Sequence, residues 1–351
     1  MQPTNPNSLV TPKVLANQLG TTYRNLCWLV KLASTDLQDE SNSITKKAYN
    51  KLSIPTKSKV RTCYSPCNSI RSIQAMLVQV VLRYIDPGDS SRAYEPGMQL
   101  KTAGEDMLGG DVVIGLDIKD FFHSIKRSMV KQLFIDEGYP DNTSYFMACL
   151  VCVSDKYKFL PQGGIASAAI ANRYAAKYLD PAILEVCRSM STDSEFKYIR
   201  YSDNIYVCLH GDFIGYSYLR KIADKMASLG WRTHKFRVMP HYRRQKLLGM
   251  VVNNSVVTIQ RTDYRKMCSA LHNISKSSNS SSIVNNLEEL SNLGVDTSCL
   301  EKLEMSLKGK VMYYVQMSES SRQSKLRKLY SLACLNMDKH RASLKSVYKG
   351  N

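Results

Sequence analysis

Residues 196–209, Phe196-Lys197-Tyr198-Ile199-Arg200-Tyr201-Ser202-Asp203-Asn204-Ile205-Tyr206-Val207-Cys208-Leu209, are the stretch on which the fold turns. Two runs rich in Ile, Val and Tyr flank a short polar centre, Ser202-Asp203-Asn204, the pattern of a hairpin with its turn between two strands. A carboxylate then sits at the tip. Asp and Asn are common turn residues because their side chains hydrogen-bond locally, so an ordinary structural turn also explains this stretch taken alone. A second stretch upstream adds to it: Val112-Val113-Ile114-Gly115-Leu116-Asp117-Ile118-Lys119-Asp120-Phe121-Phe122 reads as an apolar strand ending on an acid, with Phe-Phe following. Two strands that each deliver an Asp to one end of a sheet make a site for hard divalent cations. Mg²⁺ takes carboxylate oxygens together with substrate phosphates and keeps several waters.

The chain has 351 residues, enough for a sizeable core and two or three subdomains, and its 44% hydrophobic content is that of a globular protein. Lys and Arg number 48 against 30 Asp and Glu, a formal net charge of +18 that favours a polyanionic partner. Lys and Arg gain affinity for nucleic acid by releasing condensed counterions; an anionic membrane surface is the competing partner. No apolar run of about 18 residues appears, and Met1-Gln2-Pro3-Thr4-Asn5 lacks signal-peptide character, so a cytoplasmic protein without a membrane partner is expected. Of the ten cysteines, Cys149 and Cys152 form one C-x-x-C pair inside an apolar stretch, which points to small core residues and reduced thiols, not to zinc.

Taken in order, residues 8–37 have the spacing of a helical pair. Residues 52–64 read as two short strands joined by a basic turn, with Lys57, Lys59 and Arg61 at the tip or just past it. That hairpin is either a solvated charged loop or a clamp on a triphosphate or phosphodiester. An amphipathic helix spans residues 69–85 and a further helix about 126–137. Residues 142–153 form an apolar helix, followed by Phe159-Leu160-Pro161-Gln162-Gly163-Gly164 and a run of small residues. That helix is one that another chain could approach closely, or one tightly packed in the core. After the hairpin, residues 216–229 read as a helix ended by Gly230. Trp231 to Lys246 then carries six Lys/Arg with aromatics interleaved, the composition of a groove that tracks a nucleic-acid backbone. Residues 247–254 read as a hairpin with an Asn253-Asn254 turn, the Ser-rich segment 275–282 as a linker or boundary, and the remainder as helices ending in a basic tail.

This order of motifs over roughly residues 50 to 335 resembles the reverse transcriptases, most closely the bacterial retron-type and defence-associated group. The resemblance implies an α+β right-hand polymerase with fingers, a palm built on an antiparallel sheet, and a helical thumb. Its expected organisation is an N-terminal helical region at 1–48, mainly fingers at 49–110 and 125–170, mainly palm with a primer-grip hairpin at 111–124 and 171–254, and a helical thumb with a basic tail at 255–351. It implies an RNA-directed DNA polymerase, a nucleotidyltransferase that extends a 3′-hydroxyl with dNTPs. Two Mg²⁺ ions about 4 Å apart, or Mn²⁺ in their place, are the implied cofactors. Asp117, Ile118 and Asp203 are assigned to the metals, with Asp117 and Asp203 catalytic and Lys235 the candidate proton donor to pyrophosphate. Lys57, Lys59 and Arg61 match residues that neutralise the triphosphate, Phe122 the steric gate beneath the sugar, and Gln162 and Gly163 the loop lining the incoming nucleotide. Phe121 and Phe122 are equally readable as core aromatics. Tyr201, Ser202 and Asn204 are assigned supporting roles. Arg243, Arg244, Lys246, Gly249 and Lys310 are assigned to primer and template.

Two departures stand out. The box reads Tyr201-Ser202-Asp203-Asn204, with Asn where the family usually has a second aspartate, and Leu248-Gly249 stands where typical retron enzymes carry Val-Thr-Gly. An RNA template, nascent DNA and dNTPs are the expected partners, with a cognate noncoding RNA, a partner protein or a second copy beside them, in anti-phage defence. The alternatives are a catalytically weakened homologue that binds RNA or a partner, and protein-primed or non-templated DNA synthesis.

Overall fold

A computed structural model describes residues 11–38, 47–55, 60–190, 195–211, 215–253, 255–318 and 320–349. The chain opens with α1 (Pro12–Gln18) and α2 (Tyr23–Ser34). Thr11 and Thr22 start these helices by accepting the N–H groups of Val14 and Asn25, donors that have no partner inside the helix. Strands β1 (Tyr49–Pro55) and β2 (Val60–Pro66) pair antiparallel from Tyr49 with Pro66 to Pro55 with Val60. Lys57 and Lys59 fall between them, outside the described residues. Helix α3 (Asn68–Val80) buries Ile70, Ile73, Leu77 and Val80, a stripe at three- and four-residue spacing, and ends in a 3₁₀ turn at Leu82–Tyr84.

Then come α4 (Leu100–Glu105), β3 (Val112–Ile118), α5 (Phe121–Ser124), α6 (Arg127–Asp136) and α7 (Asp141–Val151). A small hairpin follows, β4 (Val153–Asp155) and β5 (Tyr157–Phe159), then α8 (Ser167–Tyr178) and α9 (Asp180–Met190). β6 (Phe196–Tyr201) and β7 (Asn204–Leu209) pair antiparallel with Tyr201 opposite Asn204, which leaves a two-residue turn at Ser202-Asp203. Helix α10 (Gly215–Ser228) leads to β8 (Thr233–Pro240). Four of these strands form one sheet in the order β6-β7-β3-β8, so the two strands richest in apolar residues, β7 and β3, lie side by side in its middle. Five of the six residues of β7 are buried, as are five of the seven in β3.

The chain divides into two compact units, Met1–Gln99 with Ile114–Val238 and Leu100–Val113 with Met239–Asn351. In the second, β9 (Lys246–Leu247), β10 (Met250–Val251) and β11 (Thr258–Ile259) form a meander. Its first turn is Leu248-Gly249, both residues left-handed at φ 50° and 89°, the conformation of a two-residue hairpin turn. The sequence placed one hairpin turn at Asn253-Asn254. Asn253 lies in the link between the antiparallel strands β10 and β11, where its side chain accepts from Gln245 N–H and donates to the carbonyls of His241 and Arg243, and Asn254 lies outside the described residues. Helices α11 (Arg261–Lys276), α12 (Ser280–Asn285), α13 (Leu287–Asn292), α14 (Leu300–Gln316), α15 (Ser320–Lys339) and α16 (Arg341–Lys349) complete the chain. The Ser-rich segment read as a linker is a helix junction inside this unit. Asn279 caps α12 by accepting Ser282 N–H at 2.8 Å, and Ser282 Oγ bonds Ser277 Oγ. Among the described residues no helix is long and apolar enough to cross a membrane.

Candidate active site

Asp203 occupies the second position of the β6–β7 turn, after Ser202 in the left-handed region at φ 57°. A left-handed non-glycine residue costs roughly 1–2 kcal/mol, and such strain persists where the surroundings over-determine it. Here the backbone of the turn is tied down: Ile118 N–H donates to the Asp203 carbonyl at 2.7 Å. That bond brings the end of β3, and with it Asp117, to the turn. Asp117 and Asp203 line one cavity of about 590 Å³, together with Arg61, Phe122, Gln162 and Lys235. Ile118, Ser202 and Asn204 also border it.

Burial raises the Asp203 carboxyl above its ordinary range and the like charge of Asp117 raises it further, while Lys235 and Arg61 pull the other way. Lys235 Nζ lies 2.8 Å from Asp117 Oδ2, and His234 Nδ1 lies 3.6 Å from Oδ1. Adjacent strand residues ordinarily point to opposite faces. Lys235 is left-handed at φ 56°, which breaks the alternation and lets both side chains approach Asp117. Asn204 donates its side-chain N–H to Asp203 Oδ1 at 3.0 Å. An aspartate at 204 would add another negative charge to those of Asp117, Asp120 and Asp203 in the cavity lining; the asparagine instead supplies a donor.

The floor is built from the neighbouring motifs. Phe121 and Phe122 both border the cavity; Phe121 is buried and packs on Trp231 with ring centroids 5.7 Å apart, so it serves the core as well as the lining. The Gln162 carbonyl accepts Tyr64 N–H at 2.8 Å, joining the Pro-Gln-Gly-Gly loop to β2. Gly163 sits at φ 108°, and a Cβ there would lie 2.9 Å from the Tyr64 carbonyl oxygen, so this position requires glycine. Gln74, fully buried, accepts Ile165 N–H at 2.8 Å and donates to the Leu150 carbonyl and Tyr49 hydroxyl, holding the loop from beneath. His123 also lines the cavity; its ring is 4.6 Å from Phe159, its Nε2 has no hydrogen-bond partner, and burial lowers its pKa.

Behind the turn lies a closed polar cluster that the sequence did not point to. Arg200, completely buried on β6, donates from Nε to Asp180 Oδ1 at 2.9 Å, from Nη2 to Asp180 Oδ2 at 3.0 Å and from Nη1 to Asn172 Oδ1 at 3.0 Å. Tyr198, two residues earlier and so on the same face, donates to Asp180 Oδ1 at 2.7 Å. Asn172 continues the cluster to the Ala93 carbonyl, and Arg173 pairs with Glu95 at 2.9 Å. The residues come from α8, α9, β6 and the 88–95 segment, so only the folded chain assembles them.

Tyr201 is half-buried beside the turn and does not border the cavity. The five residues assigned to primer and template belong to the second unit. Arg244 Nη1 donates to Gln260 Oε1 at 3.0 Å, Lys246 opens β9, and Gly249 forms the first meander turn. Lys310 on α14 lies over the rings of Tyr313 and Tyr314 at 5.6 and 5.5 Å, and burial lowers its pKa. Arg243 N–H bonds the Pro240 carbonyl.

Asp117 and Asp203 offer hard oxygen donors in one partly buried cavity, and Lys235 supplies a positive charge to one of them. That donor set fits a divalent cation such as Mg²⁺. Among the described residues no cluster of three or more His, Cys, Asp or Glu side chains could hold a metal, so a bound ion would draw its remaining ligands from backbone, water and substrate.

The family described as reverse transcriptase (RNA-dependent DNA polymerase) matches residues 44–252, which include both aspartates, the Pro-Gln-Gly-Gly loop and the basic segment after the hairpin. The chain belongs to this family. Its α+β content, with an antiparallel hairpin in the central sheet, is that of the right-hand polymerase fold. Among curated relatives it is similar to the retron Mx162 reverse transcriptase of Myxococcus xanthus, 24% identical over 76% of this chain and 59% of that protein. It is also similar to the retron Ec86 reverse transcriptase of Escherichia coli, 22% identical over 62% of this chain and 66% of that protein. The chain thus spans about three fifths to two thirds of the length of these relatives, and the retron-type resemblance stands. Among solved structures, telomerase from Candida albicans in complex with a telomeric RNA fragment aligns with 93% of this chain and 69% of its own at a TM-score of 0.47 and 10% identity.

Proposed function

We propose that the protein is an RNA-directed DNA polymerase that extends a primer 3′-hydroxyl with dNTPs at the Asp117–Asp203 cavity. The single observation that carries this is the meeting of two carboxylates, one on β3 and one in the β6–β7 turn, in one cavity also lined by Arg61 and Lys235. Asp117, Asp203 and the Ile118 backbone would hold two Mg²⁺ ions. When bound, the metals supply a more acidic 3′-hydroxyl and charge neutralisation on the pyrophosphate leaving group. The protein's own part is positioning. Arg61 presents a planar fork of donors to the triphosphate, with Lys57 and Lys59 as its neighbours in sequence. Gln162 and the glycine-bounded backbone at 163 shape the nucleotide seat, and Lys235 holds a proton near the departing pyrophosphate.

Phe122 closes the cavity where a ribose would carry its 2′-hydroxyl, favouring deoxynucleotides. In this reading residues 49–110 and 125–170 serve mainly as fingers, 111–124 and 171–254 mainly as palm, and 255–351 as thumb and tail after the N-terminal helices. Arg243, Arg244, Lys246, Gly249 and Lys310 then contact primer and template. The retron-type resemblance extends the reading to a dedicated noncoding RNA template and a role in anti-phage defence. Sequencing RNA that co-purifies with the protein tests that extension, and a random sample of cellular transcripts would count against it.

Purified protein, Mg²⁺, labelled dNTPs and a primed RNA template provide the direct assay. Incorporation should fall at least about 10²- to 10³-fold in Asp203→Ala, the scale of losing one preorganised electrostatic partner. A wild type that incorporates nothing on any primed template would instead support an RNA-binding homologue. Phe122→Ala should raise ribonucleotide use relative to deoxynucleotide use; an unchanged ratio would remove the gate from Phe122.

A further inference from the structure

A second basic and aromatic site lies on the same unit, outside the cavity. The β4–β5 hairpin pairs Asp155 with Tyr157, leaving Lys156 alone at its tip in the left-handed region at φ 57°. Beside it, the N-terminal end of α6 and the exposed side of α7 enclose a cleft of about 400 Å³, lined by Lys126, Arg127, Lys131, Tyr145, Tyr157 and Lys158. Two phenol rings stand open at its mouth: Tyr157 is 62% exposed and Tyr145 44%. Lys126 and Lys156 lie 5.9 and 5.6 Å from the Tyr157 ring centre.

The charge around the cleft is one-sided. Lys131 pairs with Asp141 at 2.6 Å, but among the described residues no carboxylate pairs with Lys126, Lys156 or Lys158. Asp155, the nearest acid in sequence, is buried and engaged by Lys51, Tyr64 and Gln38. Arg127 strengthens the asymmetry from below. It is only 6% exposed, its Nη2 donates to the neutral oxygens of Ala33 and Ser154, and its Nε has no acceptor. A buried guanidinium without an anion imposes a positive potential on the cleft it lines.

Exposed aromatic rings set among ammonium groups that no carboxylate neutralises are what a single strand of nucleic acid uses. The base stacks, and the adjacent phosphates take the cations whatever the sequence. We propose that this cleft is a second docking place for single-stranded RNA, with a base on the Tyr157 ring and the flanking phosphates on Lys126, Lys156 and Lys158. It rests on the polymerase reading above only in that such an enzyme has an unpaired template strand to hold. The cleft adjoins the catalytic cavity: Lys126 Nζ donates to the carbonyl of the cavity residue His123 at 2.9 Å and lies 5.9 Å from the Phe159 ring, which also packs on His123. Unpaired template could thus be held close to the point of synthesis without entering the nucleotide seat.

The test uses the full chain, without metal or nucleotides, and a fluorescent oligouridylate whose anisotropy reports binding across a salt series. Tyr157→Ala should weaken binding about tenfold or more, the scale of losing one stacking platform, and Tyr157→Phe should keep it. Lys126→Gln with Lys158→Gln should flatten the log-affinity against log-salt slope by about 1.4, two phosphates at about 0.7 each. Unchanged affinity in Tyr157→Ala together with an unchanged slope in the double lysine variant would overturn the proposal. Equal Tyr157-dependent binding of oligothymidylate would overturn the assignment to RNA, and Tyr157-dependent binding of phosphatidylserine vesicles in place of RNA would overturn the partner class. The polymerase reading fails separately, on absent dNTP incorporation by the wild type, and that failure leaves Tyr157-dependent RNA binding as it was measured.

Discussion

Arg200 and Asp203 sit three positions apart on one hairpin and live under opposite electrostatic conditions. Arg200 is sealed from solvent with its donors matched to Asp180 and Asn172. Burial works against its charge, and Asp180 more than offsets that. Asp203 is also largely enclosed, but burial and the like charge of Asp117 raise its carboxyl, and Lys235 and Arg61 do not fully offset them. A charge that the fold has completed serves structure. One left short of compensation serves a ligand that brings the missing charge. The closed cluster sets the backbone from which the open one projects: Arg200 N–H bonds the Ser90 carbonyl and its own carbonyl accepts Arg92 N–H, fixing β6 just before the turn.

The comparison breaks most sharply at Arg200. Arg200→Ala leaves Asp180 buried without its main partner, and such a loss costs about 3–5 kcal/mol. Urea denaturation should show that drop, while Asp203→Ala should unfold at the same or a higher urea concentration than wild type despite its loss of incorporation. Equal stability of Arg200→Ala and wild type would show that the cluster does not hold the hairpin.

A smaller effect is expected at Asp155, a second completed charge. Burial tends to raise its carboxyl, yet hydrogen bonds from Lys51, Tyr64 and Gln38 more than reverse this and hold it below the usual range. A carboxylate with a lowered folded pKa stabilises the fold above its unfolded pKa and loses that contribution as pH falls through the folded value. Asp155→Asn should therefore cost about 2 kcal/mol near neutral pH, the scale of hydrogen bonds to a charged group. The difference from wild type should shrink as the solution is acidified through the carboxylate range. A difference that stays constant with pH would assign the loss to packing and not to charge.

Much of this was legible in the chain. The β6–β7 turn and the end of β3 announce themselves because a polar or acidic residue interrupts strongly apolar runs, and strand period alone then aims it. The Pro-Gln-Gly-Gly segment was visible as a loop, but the reason for Gly163, a carbonyl of β2 lying against it, was not. Asn172, Asp180 and Arg200 lie 28 and 20 positions apart as paired and share no local pattern, so nothing in sequence joins them before the helices pack. His234 carries no local signal in the sequence, since strand alternation sends it away from Lys235 until the left-handed backbone at 235 brings both toward Asp117. The Leu248-Gly249 turn was obscured by an apolar leucine in a conformation that favours Gly and Asn, and the serines at 280–282 read as linker because a cap and a linker share the same residues.

The most direct test of the central claim, that Asp117 and Asp203 hold a divalent cation together, needs no catalysis. Mn²⁺ titrated into the full chain and followed by electron paramagnetic resonance should show binding that Asp117→Asn and Asp203→Asn each weaken by at least about tenfold, the lower end of what even a supporting group contributes at a metal site. Wild-type Mn²⁺ binding retained in both single variants would contradict the account.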